Sequence, residues 1–225
     1  MSGWQHVLVT GIFDRMADRY DRWYDSPEGG AIFREELDCL RLLWSGSCDR
    51  WLEVGVGTGR FASALGVTEG VDPSPAMLVY ATQRGVRTKA GSAEELPYHD
   101  GSFDGVLIVA TLSFVKDAGQ ALVECARVLR PNGTLLAGII PAEGPWGREY
   151  ARKAAEGHSI YSHARFLTTE NLLGLAADAY LELQESASAL LWPPGSPPDK
   201  PPRIERTALT GAGFVALRFT VRKSG

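Results

Sequence analysis

The sequence predicts an α/β fold: a mostly parallel sheet with helices on both faces. Three observations carry that expectation. From Gly46 to Ile140, short apolar runs of strand length alternate with segments of helical periodicity, the order that builds a parallel sheet through crossover connections. The first of these runs, ending at Val54, breaks into a glycine-rich turn that opens a helical segment. The run Phe103–Val109 has the length and β-branched content of a central strand buried on both faces.

The elements follow in order. Ile12, Met16, Tyr20, Trp23 and Tyr24 recur at three- and four-residue steps, and a second helical run continues through Ile32, Phe33, Leu37, Leu40 and Leu43. Ser26-Pro27-Glu28-Gly29-Gly30 is the turn between them. A strand is expected near Arg50 to Val54, a helix from Gly59, a strand near Thr68 to Val71, a helix from Pro75 to Arg84 and a strand at Val86 to Lys89. After a loop to Ser102 and the central strand comes a helix from Asp117 to Leu129, closed by Pro131-Asn132-Gly133, and a strand from Thr134 to Ile140. Beyond Pro141 the pattern is helical at Trp146–Glu156 and Thr168–Ala179, then alternating at Leu181–Leu191 and Phe214–Val221, which reads as a strand pair. The proline-rich stretch Pro193–Pro202 between those strands suits neither helix nor central strand, so it is expected as an extended surface loop.

At 225 residues and 44% hydrophobic content the chain can bury a large core within one domain, 1–225. Within it, 12–45 reads as a helical lid, 46–140 as a cofactor-binding core, and 141–225 as substrate-side helices with the strand pair. A net charge of −4 gives no overall attraction to phosphate backbones or anionic lipid, which argues against nucleic acid and membrane partners. Cys39, Cys48 and Cys125 lack the paired spacing of metal sites and are expected as reduced, packed thiols, with no metal bound. No segment reads as a signal peptide or a bilayer span, so cytoplasmic residence is expected.

The most informative segment is Leu52-Glu53-Val54-Gly55-Val56-Gly57-Thr58-Gly59, placed where a first strand ends and a first helix begins. Glycines let the backbone turn sharply and approach a ligand, and free amides at the helix start can meet its polar groups. The spacing is Gly-x-Gly-x-Gly rather than the Gly-x-Gly-x-x-Gly of dinucleotide binders. Glu53, two residues before the first glycine, disfavours a pyrophosphate but would tolerate an ammonium group. Asp72 ends the second strand, where a carboxylate can accept hydrogen bonds from ribose hydroxyls.

These features resemble the class I S-adenosylmethionine-dependent methyltransferases, in the group related to quinone and other small-molecule methyltransferases. The resemblance runs from about Tyr20 to Ile140. It rests on the glycine motif and on GVDPSPAML at Gly70–Leu78, AGSAEELPYHDGSFDGVLIV at Ala90–Val109 and ARVLRPNGTLLAG at Ala126–Gly138. It implies a Rossmann-like, seven-stranded sheet in order 3-2-1-4-5-7-6 with the last strand antiparallel. It further implies that Glu53, Gly55 and Gly57 line the methionine part of S-adenosylmethionine, with Asp72 and Pro73 at the ribose and Met77 on the adenine. Ser92, Ala93 and Glu94 would edge the adenine, Ala110 and Thr111 would meet the methionine end, and Tyr20 would close over the cofactor. Where this chain has Ser92 the family often has Asp, a stronger acceptor.

Methyl transfer is an in-line displacement that mainly needs alignment and exclusion of water, leaving S-adenosylhomocysteine as product. Trp23 and Tyr24 on the first helix, and Trp146, Tyr150, Tyr161 and Arg165 in the aromatic and basic stretch after Pro141, are the expected substrate contacts. His158 and His163 are the candidate general bases, and Arg148 is a second cation able to orient an acidic group. Gly29-Gly30, Gly144 and Gly157 are expected as hinges of two mobile roof pieces. The exit from the fourth strand, ATLSFVKD, lacks the motif of amino-directed DNA methyltransferases, so a small-molecule acceptor is expected. Two other readings of the chain are a cofactor-binding sensor without turnover and, disfavoured by the glycine spacing and Glu53, a nicotinamide-dependent oxidoreductase.

Overall fold

The computed structural model describes residues 3–44 and 50–222, with side chains from Thr10 onward; Cys48 lies outside the described residues. Seven strands form one sheet in the order β3-β2-β1-β4-β5-β7-β6: β1 (Trp51–Val54), β2 (Glu69–Asp72), β3 (Arg87–Ala90), β4 (Phe103–Val109), β5 (Leu129–Ile139), β6 (Leu181–Ala189) and β7 (Phe214–Val221). The pairs among β1 to β5 are parallel, and β7 runs antiparallel to both of its neighbours, so it alone is reversed. This is the Rossmann-like strand order, with the last strand reversed, that the resemblance implied.

Alternation along the central strand divides the core in two. Val106 and Ile108 face α5 (Ala118–Val128) and α7 (Thr169–Asp178), while Leu107 and Val109 face the other side with α2 (Pro27–Leu43) and α3 (Arg60–Leu65). Both sides are tightly filled: Leu52, Leu107, Ile108, Leu122 and Leu135 are fully buried. The edges carry charge instead, with Arg87 and Lys89 on β3 and Glu182 and Glu185 on β6 exposed, which blunts both to further pairing. α4 (Pro75–Gln83) begins on Pro75 behind the cap Ser74, whose hydroxyl accepts from Met77 N at 3.3 Å. Cys39 and Cys125 are buried free thiols, both pushed up to about 12 by burial. No helix among the described residues is long and apolar enough to cross a membrane.

Three boundaries differ from the sequence pattern. The first helix, α1, spans Gly3–Trp23 rather than beginning at Ile12. α5 stops at Val128, and Pro131-Asn132-Gly133 lies within β5 as an irregularity. Leu129 pairs with Phe103 and Thr134 with Gly105, so the residues between loop outward, with Asn132 at a left-handed φ of 65°. β6 ends at Ala189 because Leu190 turns at φ 53° and gives its N–H to Glu35 Oε2 on α2 at 3.3 Å. The same carboxylate accepts from Trp192 Nε1 at 2.9 Å, so a buried charge ties α2 to the end of β6.

The hinge expectation is corrected at three glycines. Gly29 and Gly30 lie inside α2, and a Cβ on Gly29 would stand 2.2 Å from Trp23 O. A Cβ on Gly144 would stand 2.3 Å from Ala212 O, so these are close-packing positions rather than joints. Gly157, at φ +83° with open space beside it, retains the freedom of a turn.

α1 runs over the carboxyl edge of the sheet and is held there by ions. Asp21 Oδ1 accepts from Arg60 Nε and Oδ2 from Arg84 Nη2, both at 2.9 Å. Arg60 also donates to Asp21 O at 2.8 Å, and Arg84 to Thr58 O at 2.9 Å in the glycine turn. Burial pushes the Asp21 carboxyl up, but hydrogen bonds from both arginines outweigh it and leave it below its ordinary range. Asp21→Asn removes this charge from between two guanidinium groups. The expected loss is about 1.5–3 kcal/mol, the usual worth of hydrogen bonds to charged groups, or about 2–4 °C per kcal/mol in the melting midpoint for a chain of this size. Melting followed by circular dichroism checks it, and an unchanged midpoint would show that the ionic latch contributes nothing to stability.

Candidate active site

The turn after β1 is made by backbone geometry that its glycines permit. Gly55, Gly57 and Gly59 all lie in the left-handed region, at φ 70°, 51° and 80°. Gly55 N and Val56 N both donate to Val71 O on β2, at 2.8 and 3.0 Å. A side chain at Gly55 would collide with Thr111, whose Oγ1 would lie 2.3 Å from the new Cβ. At Gly57 a Cβ would meet nothing within 4 Å, because that position looks into open space.

Asp72 closes the turn from the side. Its Oδ2 accepts from Gly57 N and its Oδ1 from Ser74 N, each at 2.9 Å. Burial raises its pKa to about 6, against the restraining effect of those two backbone hydrogen bonds. Each oxygen keeps a lone pair for a further donor. Glu53 lies beneath the turn, buried, with Oε2 unpartnered among the described residues. Burial holds its carboxyl well above the ordinary range, opposed in part by a backbone hydrogen bond at Ala62.

A cavity of about 280 Å³ opens along this carboxyl edge. Its sheet side is formed by Gly55, Gly57, Asp72, Pro73, Met77, Ala93, Glu94, Ala110 and Thr111. Ala110 holds φ 53° just past β4, an uncommon conformation for a residue with a side chain, at the point where the strand gives way to the cavity wall. Glu94 Oε1 accepts from Lys116 N at 2.8 Å, and its buried Oε2 has no partner among the described residues. The opposite side comes from Tyr20, Trp23 and Tyr24 and from Tyr150, His158 and Tyr161. Tyr150 lies on α6 (Pro145–Ala155), and Tyr161 opens the 3₁₀ turn Tyr161–His163. The Tyr20 and Tyr24 hydroxyls are 3.0 Å apart, and Tyr150 stacks on Tyr161 with centroids 4.2 Å apart. Phe13 and Phe114 meet edge to face at 5.2 Å and close the wall between the two sides.

Six residues expected at the site do not line this cavity. Glu53 supports the turn from below, and Ser92 is set back, its carbonyl accepting from Glu95 N at 3.3 Å, while Gly91 and Ala93 on either side reach the cavity. Trp146 is core: it is 2% exposed, its Nε1 donates to Trp192 O at 2.9 Å, and its ring meets Trp192 edge to face at 4.9 Å. His163 and Arg165 are exposed and outside the lining. Arg148, also outside, donates to Glu143 O.

His158 reaches the cavity but is arranged as a donor. Its Nδ1 accepts from Ile160 N at 3.3 Å and Tyr161 N at 3.4 Å, which places the proton of the neutral ring on Nε2. Burial first, then Lys153 and Arg19, lower its pKa, so the neutral form prevails near pH 7. It therefore presents an N–H rather than the basic nitrogen expected of a proton acceptor.

The sequence pattern missed Glu36. It lies on α2, lines the cavity, and is 6% exposed. It makes no hydrogen bond or ion pair among the described residues, and burial, followed by the charge of Glu35, pushes its pKa up to about 8. A signal was present: Ile32, Glu36, Leu40 and Leu43 share one helical face, so a carboxyl stands in an apolar stripe.

The site of this Rossmann-like fold thus combines a carboxylate at the second strand's end with a glycine turn open to the cavity. A family model described as a methyltransferase domain matches residues 52–137. An uncharacterised protein of Mycobacterium tuberculosis is 39% identical over 222 residues, covering 95% of this chain and 78% of that protein. A demethylmenaquinone methyltransferase of a Mycobacterium species is 32% identical over 226 residues, covering 95% and 94%. Among solved structures, one from Thermotoga maritima, described as an S-adenosylmethionine-dependent methyltransferase and possible histamine N-methyltransferase, superposes with a TM-score of 0.86. It is 35% identical, with 95% of this chain and all of that one covered. The chain belongs to the S-adenosylmethionine-dependent methyltransferases, and it is an enzyme of that family.

The buried Glu36 fixes a pH dependence. Between its ordinary value of 4.5 and about 8, the folded protein holds a proton that the unfolded chain has lost, so stability falls as pH rises through that window. Glu36→Gln cannot ionise. It should raise the melting midpoint of the ligand-free protein above pH 8, with the gain shrinking toward pH 4.5. A difference that is flat across the range would mean that Glu36 is not held protonated by its surroundings.

Proposed function

We propose that this enzyme transfers the methyl group of S-adenosylmethionine to a small-molecule acceptor held in the cavity between the sheet edge, α1 and the His158–Tyr161 segment. The observation that carries this reading is the placement of Asp72 and the open Gly57 position in the same enclosed space as the aromatic wall. The relatives' names, demethylmenaquinone methyltransferase and possible histamine N-methyltransferase, both refer to small acceptors. The acceptor half, walled by aromatic rings within one cavity, suits a small ligand better than a polymer. When bound, the cofactor supplies an electrophilic methyl group on a sulfonium.

The chain's own residues bind, orient and exclude water. The free lone pairs of Asp72 receive ribose hydroxyls, while its existing bonds to Gly57 N and Ser74 N keep the carboxylate aimed. Met77, 1% exposed yet lining the cavity, and Ala93 offer an apolar seat for a planar base, with the Glu94 side chain beside it. Gly55, Gly57, Ala110 and Thr111 bound the space for the methionine part. Tyr20 and Tyr24 line the same cavity, and their ring quadrupoles would stabilise a positive sulfonium held against them. α1 and the His158–Tyr161 segment roof the acceptor half and keep water from it.

Two measurements check this reading. Asp72→Ala should weaken S-adenosylmethionine binding by about 1.5–3 kcal/mol, roughly ten- to 150-fold, the usual worth of lost charged hydrogen bonds. Calorimetry on a folded variant with unchanged affinity would remove Asp72 from the ribose site. Incubation with methyl-deuterated cofactor and a cell metabolite extract should yield mass-shifted small molecules. Label appearing only in macromolecules would overturn the small-molecule assignment.

A further inference from the structure

The acceptor half of the cavity contains a buried carboxyl that has no hydrogen-bond or ion-pair partner among the described residues. The Tyr20 and Tyr24 hydroxyls are hydrogen-bonded to each other at 3.0 Å, and the Tyr150 and Tyr161 rings stack with centroids 4.2 Å apart. All four of these tyrosines feel the charge of Glu36, and none of them makes a hydrogen bond to it. Nor does a cation face it: the single cationic side chain among the described lining residues is Arg19, which is solvent-exposed, whereas Glu36, Asp72 and Glu94 all line the cavity. Left ionised in so apolar a setting, Glu36 carries the full cost of desolvation; left protonated, it is a donor without an acceptor.

We propose that Glu36 is the acceptor-recognition carboxylate of this enzyme, and that its acceptor is an amine, received as an ammonium group against Glu36 among the four tyrosines. The proposal rests on the small-molecule methyl-transfer reading above and names the acceptor class. An ammonium group supplies both things the site lacks, a positive charge and N–H donors. The surrounding rings favour the same species, since aromatic faces attract cations and do not attract a neutral hydroxyl or thiol in that way. Because burial holds Glu36 at about 8, within reach of ordinary amine basicity, the proton can be shared between the two partners at little cost. A phenol or a thiol would satisfy one lone pair of the carboxylate but leave its charge unpaired.

The test uses the full chain saturated with S-adenosylhomocysteine and titrates in 2-phenylethylamine or its neutral counterpart 2-phenylethanol. The amine should bind at least about tenfold more tightly than the alcohol. Glu36→Gln should lose that preference while binding S-adenosylhomocysteine as the wild type does, the tenfold figure being the low end for one charged hydrogen bond. Glu36→Asp, which keeps the charge, should retain the preference for the amine at reduced affinity. Equal binding of the two probes, a preference for the alcohol, an amine preference that survives in Glu36→Gln, or no saturable amine binding would each overturn the proposal. Failure of the wild type to bind S-adenosylhomocysteine would instead bring down the methyl-transfer reading on which it rests.

Discussion

The site depends on how the turn after β1 is fastened to the end of β2. Two successive amides of the turn share Val71 O, and a third reaches the Asp72 carboxylate. Five residues of backbone therefore adopt a shape that three glycines allow and one neighbouring strand dictates. Asp72 does double duty, because the same hydrogen bonds that shape the turn also aim the oxygens a nucleoside would use. Thr111 backs the arrangement from β4's side: it donates to Val109 O at 3.0 Å, and its side chain fills the space a larger residue at position 55 would need. The cavity floor is a consequence of strand pairing rather than of flexible loops.

The two halves of the cavity differ in chemistry. The sheet half is backbone-rich, with glycines, Ala93 and Ala110 allowing close approach, and its carboxylate is held by amides. The other half, the proposed acceptor side, is made of side chains from α1, α2, α6 and the His158–Tyr161 segment. Such a division suits a family in which one cofactor is constant and the acceptor varies. Changing the acceptor then requires new residues on helices, and leaves the turn untouched.

How legible these halves were in the sequence follows the same line. The succession of strands and helices and the glycine turn are readable because they rest on local signals, apolar runs, glycine spacing and a carboxylate at a strand end, whereas the strand order follows only from the resemblance those motifs carry. The ten expected cofactor-side residues that line the cavity sit at or near such strand ends, apart from Tyr20 on α1 and Met77 on α4. On the acceptor side, composition found the right segments but not the right residues. Trp146 and Tyr150 are four positions apart on α6, yet one is sealed against Trp192 and the other reaches the cavity. That choice is made by how the helix packs on Trp192 and Gly213, which no local pattern encodes. His163 and Arg165 looked as suitable as His158 in sequence, but the 3₁₀ turn at Tyr161 carries them outward. Glu36 was overlooked because an acidic pair on a helix ordinarily reads as solvated surface.

The latch at Asp21 has a bearing on how the cavity responds to its medium. α1 is fastened at its carboxyl end by charges from Arg60 and Arg84, whereas the wall it presents inward is aromatic. Dissolved salt screens the first, less than at an open surface because the groups are partly covered, while excluded salts such as sulfate strengthen the second. Ionic strength and salt type thus pull on the same helix in opposite senses. Chloride loosens the anchoring alone, whereas sulfate loosens it while tightening the aromatic seating, so the balance of forces on α1 depends on the buffer's anion as well as on the protein.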